Sequence, residues 1–280
     1  MSRLFDPSAK GFCAQDALAL GHCADVAYLG SATSIGAGIA QDMAPGGADV
    51  RMFQWKNIQA YAARTDESIV VAFRGTEPNV LRDWYTDFDA RLDTCPLGDG
   101  AGRVHDGFWR GVDGIWPALR AQLAAWSGSP ALPIWLCGHS LGGALALVAA
   151  LRLQTDAALV GRLAGVYTYG QPRVGDAAFA SFANSLLGPR YFRFVNDLDI
   201  VPHVPPAMVS DYRHAGVLVY FDKDGSADIN PSPLAEMIDD IASEAKALAK
   251  IDPAAQITDH LMKDYLPLLE RAAVGATAAA

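Results

Sequence analysis

The chain has 280 residues, 51% hydrophobic and 19% charged, and its length fits one large α/β domain. A net charge of −9 and a pI near 5.0 argue against nucleic acid or an anionic membrane as preferred partner, and leave neutral lipids and esters open. No apolar run reaches the roughly 18 residues of a membrane helix, so no transmembrane segment is expected. The start, Met1 to Ser8, lacks the apolar core of a secretory signal; as written the chain reads as cytoplasmic, unless a leader lies outside it. Cys13, Cys23, Cys95 and Cys137 make no disulfide scaffold. Cys13 and Cys23 read as two free thiols in preference to a Cys13–Cys23 bridge, and Cys137 as a core residue.

In chain order, Phe12 to Leu29 predicts a helix rich in alanine and leucine, and Gly30 to Gly47 a loop with a short helical turn near Ile39. Phe53 to Arg64 reads as one strand and Ser68 to Arg74 as a second, joined as a hairpin at Thr65-Asp66-Glu67. Between residues 77 and 92, Val80, Leu81, Trp84, Tyr85, Phe88 and Leu92 recur at helical spacing. That helix is either an ordinary core-facing one or a lid that turns apolar side chains toward an insoluble ester. A glycine-rich loop, Leu97 to Arg103, precedes a helix over Val112 to Leu123.

The centre of the chain is a strand at 134–137, small residues around Ser140, and a helix from Leu141 to about residue 155. Strands at Leu163 to Tyr169, Tyr191 to Val195 and His214 to Phe221 follow, with a helix at Ala177 to Leu187. Strand, crossover helix, strand predicts a mostly parallel sheet with helices on both faces. Helices at Leu234 to Ile251 and Ala254 to Arg271 close the chain, with Pro267 expected to kink or end the last one. Residues 1–271 read as a single domain and 272–280 as a disordered tail.

Gly138-His139-Ser140-Leu141-Gly142 has the Gly-x-Ser-x-Gly form of a nucleophile elbow, in which side chains flanking the sharp turn would collide. A serine nucleophile needs a base and an orienting carboxylate, and the α/β hydrolases that such an elbow resembles carry them in the order Ser, acid, His. Order removes His22 and His105, and adjacency turns the His139 side chain away from the hydroxyl. His203 lies too near the acid candidates and His214 begins a strand, so His260 is the expected base. The strand ending at Val195 runs into both Asp197 and Asp199; the rigid Ile-Val-Pro run favours Asp199 without excluding Asp197. Oxyanion donors are expected at the Leu141 N–H and in Phe73-Arg74-Gly75-Thr76, at Thr76.

These segments resemble the class 3, fungal-type, triacylglycerol lipase family of α/β hydrolases. The resemblance rests on Ala72 to Thr76, Asp83-Trp84, Asp87, Val104 to Phe108, Gly138 to Gly143, Thr168 to Gly175 and Asn196 to Pro202, and covers about residues 55–265. It implies the α/β-hydrolase fold, a Ser140–Asp199–His260 triad, oxyanion residues Thr76 and Leu141, and a helical lid at about 77–92. It also matches His105 to a position beside the site, where a packing and hydrogen-bonding role follows. The chain differs from the secreted fungal members in lacking an evident leader and a disulfide-rich character, which bears on localisation and not on chemistry. The implied activity is hydrolysis of acylglycerol esters, including at an oil–water interface, with no cofactor and no metal. Asp222 to Asp228 reads as an acidic turn between a strand and a helix, not a calcium loop. The competing readings are a soluble-ester carboxylesterase, a phospholipase A1 or a feruloyl-type esterase with the same triad, and a catalytically silent binding domain on a hydrolase fold.

Overall fold

Period-two alternation along the strands divides the interior into two cores, one on each face of a single sheet. The computed structural model describes residues 5–77, 80–81, 89–126, 128, 131–197, 199–206, 210–222, 224–229 and 260–278. Helices α1 (Ala14–Val26) and α2 (Ala32–Asp42) lead into strands β1 (Asp49–Trp55), β2 (Ile58–Arg64), β3 (Ile69–Phe73), β4 (Leu92–Thr94) and β5 (Arg103–His105). Then come α3 (Asp106–Ala125), β6 (Ile134–His139), α4 (Leu141–Thr155), β7 (Leu163–Tyr169), β8 (Gly175–Asp176) and α5 (Ala177–Leu187). The chain continues through β9 (Tyr191–Asn196), β10 (Tyr212–Arg213), β11 (Val217–Phe221), β12 (Ala227–Ile229) and α6 (Met262–Ala278).

Among the described residues the main sheet has eight strands in the order β1-β2-β3-β6-β7-β9-β11-β12. The centre, β3 through β11, is parallel, and the antiparallel pairs β1–β2, β2–β3 and β11–β12 lie toward the edges. A small antiparallel sheet, β10-β8-β5-β4, lies apart from it. On one face Ile69, Val71, Phe73, Ile134 and Leu136 pack with α3, α4 and α5; on the other Val70, Ala72, Trp135 and Cys137 pack with α1, α2 and α6. This is the mostly parallel, doubly covered sheet that the strand–helix–strand order predicts.

Several local expectations change. The run read as one strand over Phe53 to Arg64 is a hairpin, because Lys56 takes a positive φ of 51° and lets Trp55 pair with Ile58. The helix near Ile39 is present but longer than expected, taking up as α2 most of the stretch read as loop: Ser31 caps it, accepting the Ser34 N–H at 3.1 Å, and Ile35 and Ile39 are buried. His214 does not open β11, which starts at Val217. Pro267 neither ends nor interrupts α6, which buries Tyr265, Leu268 and Leu269 on both sides of it, and the helix runs to Ala278 where a disordered tail is expected. The acidic turn from Asp222 leads into β12, not into a helix; Asp222 Oδ1 accepts the N–H groups of Asp224 and Ser226, each at 2.9 Å. The four cysteines are free thiols, with Cys23, Cys95 and Cys137 buried. The helix expected at Leu234 to Ile251 lies outside the described residues. No described helix is long and apolar enough to cross a membrane.

Candidate active site

Parallel strands β6, β7 and β9 end on the same side of the sheet, and the polar side chains of interest gather there. Strand β6 stops at His139, Ser140 follows, and α4 begins at Leu141. Ser140 has φ 57° and ψ −130°, a strained conformation for a residue with a side chain. The turn is held by the Ser140 N–H, which donates to the Tyr169 carbonyl at 2.8 Å. It also requires bare neighbours: a Cβ on Gly142 would overlap the Phe73 carbonyl, and one on Gly138 would overlap the main chain of Gly142. The expected elbow is formed.

His260 and Asp199 are sixty-one residues apart in sequence and joined in space, with His260 Nδ1 2.7 Å from Asp199 Oδ2. Two further donors reach the carboxylate: the Val201 N–H at 2.9 Å on Oδ1, and the Tyr265 hydroxyl at 2.6 Å on Oδ2. Burial by itself pushes the Asp199 carboxyl up, but His260 and these two hydrogen bonds outweigh it and hold it below the usual carboxylate range. Asp199 is therefore an anion with a fixed orientation. The alternative, Asp197, is engaged elsewhere, accepting the Tyr220 hydroxyl at 2.5 Å.

The Nε2 of His260 and the Oγ of Ser140 are both buried, and among the described residues neither has a hydrogen-bond partner. Thr76 Oγ1 is in the same condition. The loop that carries it passes close to the serine: a Cβ placed on Gly75 would sit 3.1 Å from the Ser140 Cβ. Leu141 is the first residue of α4, so its N–H belongs to the unpaired first turn at the positive end of the helix dipole.

Of the lid candidates, Val80 is exposed and Leu81 buried, both helical, while Trp84, Tyr85 and Phe88 lie outside the described residues. His105 is stacked on Phe108 with ring centroids 4.0 Å apart, and its Nδ1 accepts the Phe108 N–H at 3.2 Å, capping α3. His214 is half-buried and bonds the Pro202 carbonyl at 2.7 Å. The His139 ring packs on that of His260 with centroids 4.4 Å apart and makes no hydrogen bond to the Ser140 hydroxyl. That contact, Tyr265 and Gly170 at the end of β7 are features that sequence reasoning misses. Only Tyr265 carries a signal, an aromatic five residues beyond His260. Among the described residues, no three His, Cys, Asp or Glu side chains converge as a metal cluster would require.

Residues 70–209, half of the chain, match the class 3 lipase family. The chain is 38% identical over 168 residues to secreted mono- and diacylglycerol lipase 1 of Fusarium solani, covering 59% of this chain and 48% of that protein. It is 40% identical over 161 residues to a lipase of Rhizomucor miehei, covering 56% and 43%. The chain thus spans less than half the length of these relatives. In structure it resembles the Rhizomucor miehei triacylglyceride lipase, with a TM-score of 0.65, 28% identity and coverage of 79% of this chain and 85% of the other. Lipase II of Rhizopus niveus superposes with a TM-score of 0.64 at 28% identity, over 77% and 83%. With the elbow, the Gly75–Thr76 loop and the Asp199 loop all inside the matched half, the chain belongs to the class 3 lipase family.

Proposed function

We propose that this chain is a serine esterase that hydrolyses the carboxylic ester bonds of acylglycerols through an acyl-enzyme. Ser140 is the nucleophile, His260 the base and Asp199 the carboxylate that orients it. The observation that carries the reading is the buried Asp199–His260 pair, with Nε2 left without a partner among the described residues on the side opposite Nδ1. With Asp199 holding Nδ1–H, the free Nε2 has the lone pair, the tautomer a general base needs.

In this reading His260 takes the Ser140 proton as Oγ attacks the ester carbonyl. The N–H groups of Leu141 and Thr76 receive the developing oxyanion, each donor contributing roughly 2.7–4 kcal/mol to the transition state. His260 then protonates the departing alcohol, and the same imidazole activates the water that releases the fatty acid. Nothing in this sequence of steps needs a cofactor or a metal. Acylglycerols as substrate class are supported by the names of the relatives, a mono- and diacylglycerol lipase and a triacylglyceride lipase. Ser140 and His260 have no exposed surface, which supports a covering segment that moves on contact with lipid; we assign that part to residues 77–92.

The test is covalent labelling by a fluorophosphonate probe together with turnover of triglycerides, phospholipids and aryl esters of graded acyl length. Labelling at Ser140 and a rate jump at the solubility limit of the triglyceride are expected. Unlabelled Ser140, or a Ser140→Ala variant with near-normal p-nitrophenyl ester turnover, would end the proposal. Simple saturation below the solubility limit would assign the chain to the soluble-ester esterases instead.

A further inference from the structure

His139 is neither nucleophile, acid nor base, yet it touches the candidate base twice. Its Nε2 lies 2.5 Å from the main-chain oxygen of His260, and the two rings pack with centroids 4.4 Å apart and planes inclined by 35°. On its other side Nδ1 lies 2.8 Å from the Tyr28 hydroxyl. These contacts define a tautomer. A carbonyl oxygen only accepts, so Nε2 bears the hydrogen, and in the neutral ring Nδ1 is left to accept the proton of Tyr28. The neutral form is the one the surroundings favour, since burial, followed by the charge of His260, pushes the His139 imidazole down to about 3.

Tyr28 reaches the site from the turn that follows α1, well outside the part of the chain matched to the lipase family. Its hydroxyl also lies against the loop that carries Thr76: a Cβ on Gly75 would overlap both that hydroxyl and the His139 carbonyl. The base, for its part, stands at the entry to α6, on the opposite end of the chain. His139 is the direct link between that entry and β6, whose last residue precedes Ser140.

We propose that Tyr28 and His139 are positioning residues for the ester hydrolysis described above: the Tyr28 hydroxyl holds His139 as the Nε2–H tautomer, and His139 in turn fixes the main chain and ring of His260 relative to Ser140. The inference rests on that reaction. During the cycle the His260 ring gains and loses a proton while its Nε2 must stay directed at the serine. A hydrogen bond to its main chain and a flat neutral neighbour restrain the ring in both charge states without adding a like charge beside it. Without Tyr28, Nδ1 of His139 is left a buried acceptor with its hydrogen bond lost, and only the His260 carbonyl still favours the Nε2–H tautomer; a ring with its hydrogen on Nδ1 would oppose one lone pair with another there.

A double-mutant cycle on the full chain tests this, using Tyr28→Phe, His139→Phe and both together. His139→Phe keeps a planar ring for the stack and removes both hydrogen bonds; Tyr28→Phe removes one hydroxyl at a half-buried position and keeps the ring. Each single variant is expected to lower kcat on a soluble p-nitrophenyl ester about tenfold or more at unchanged KM, the size of one buried hydrogen bond of roughly 1.4 kcal/mol. The double variant is expected to be no slower than His139→Phe, because Tyr28 acts through His139. Tyr28→Phe with wild-type kcat, a loss expressed in KM, or losses that multiply in the double variant would each overturn the proposal. Fluorophosphonate labelling of the unsubstituted chain separates the two levels. Absence of labelling rejects the reaction itself, whereas normal labelling with a fully active Tyr28→Phe rejects only the positioning role.

Discussion

Tyr265 donates its hydroxyl proton to Asp199 Oδ2 at 2.6 Å, the same oxygen that holds His260 Nδ1 at 2.7 Å. The phenol is locked as a donor, because burial and the neighbouring Asp199 charge push it well above its ordinary value. It also accepts the Asn196 N–H at 3.2 Å, so one hydroxyl ties the end of β9 to the acid. A hydrogen bond to a buried charge contributes about 1.5–3 kcal/mol. Tyr265→Phe is therefore expected to lower kcat by about one to two orders of magnitude and to raise the acid limb of the kcat–pH profile, since Asp199 then binds a proton more readily. A profile unchanged in height and position would show that Val201 and His260 alone suffice to hold the acid.

Asp199 and Asp197 make opposite predictions from adjacent places in one loop. Asp199→Asn replaces an anion that holds Nδ1–H, and loss of the correct tautomer in a triad of this kind lowers kcat by about 10⁴. Asp197→Asn disturbs only the contact with Tyr220 and is expected to leave kcat within about threefold, the smaller part of one hydrogen bond. Steady-state kinetics of the two variants decide it; equal losses would remove Asp199 from its role.

Gly170 combines a positive φ of 58° with a crowded environment: a Cβ there would lie 2.7 Å from Asp199 Oδ2 and 2.7 Å from His260 Cε1. Gly170→Ala is expected to abolish measurable ester hydrolysis by prising apart the acid and base. Gly161 is the control, since it has φ 84° with open space around it. Gly161→Ala is expected to cost about 1–2 kcal/mol of stability, from the left-handed conformation alone, and no activity. Thermal unfolding and turnover measured on both variants separate steric damage at the site from backbone strain.

The pH dependence of stability has carboxylate and histidine contributions of the same sign, separated by the pH range in which each acts. Asp199 has a depressed native value, so its contribution is complete above the unfolded carboxylate value of about 3.9 and disappears as pH falls through the native one. His139, down at about 3, and His214, held well below its ordinary value by burial and then by Arg193 and Arg173, refuse protons that the unfolded chain accepts near about 6.5. The unfolded state then binds more protons, and stability falls as pH drops through that value, by about 1.4 kcal/mol per unit for each group. Urea midpoints measured between pH 5 and 8 should decline on the acid side, and His214→Gln should flatten the decline. An identical slope in that variant would exclude His214 as a source.

Contiguous signals are legible in the amino-acid sequence alone. The elbow is a local arrangement of bare residues around Ser140, and β3, β6 and β7 announce themselves by apolar runs bounded by turns. The order of serine, acid and histidine comes from the resemblance to α/β hydrolases, and with it the late position of His260 stands out among six histidines. What fails is the reading of segments whose conformation is set by distant packing. The glycines after Gly30 suggest loop, yet Gly38 is bare because α2 lies close to α1, where a Cβ would come 2.6 Å from Val26 Cγ1. Pro267 suggests a helix end, yet burial of Leu268 and Leu269 carries α6 through it.

By itself, then, the sequence determined the class of the fold, the strained turn at Ser140 and the set of side chains from which a triad could be drawn, because each follows from short-range sterics or from chain order. Only the tertiary structure shows that Asp199 and not Asp197 pairs with His260, since both sit in one loop and differ in which side chains lie opposite, Tyr220 for one and His260 with Tyr265 for the other. Only the tertiary structure brought Tyr28 and His139 to His260, joining residues more than a hundred positions apart through the ends of parallel strands. Such contacts leave no periodicity and no local composition in the chain; they exist when the sheet is assembled and not before.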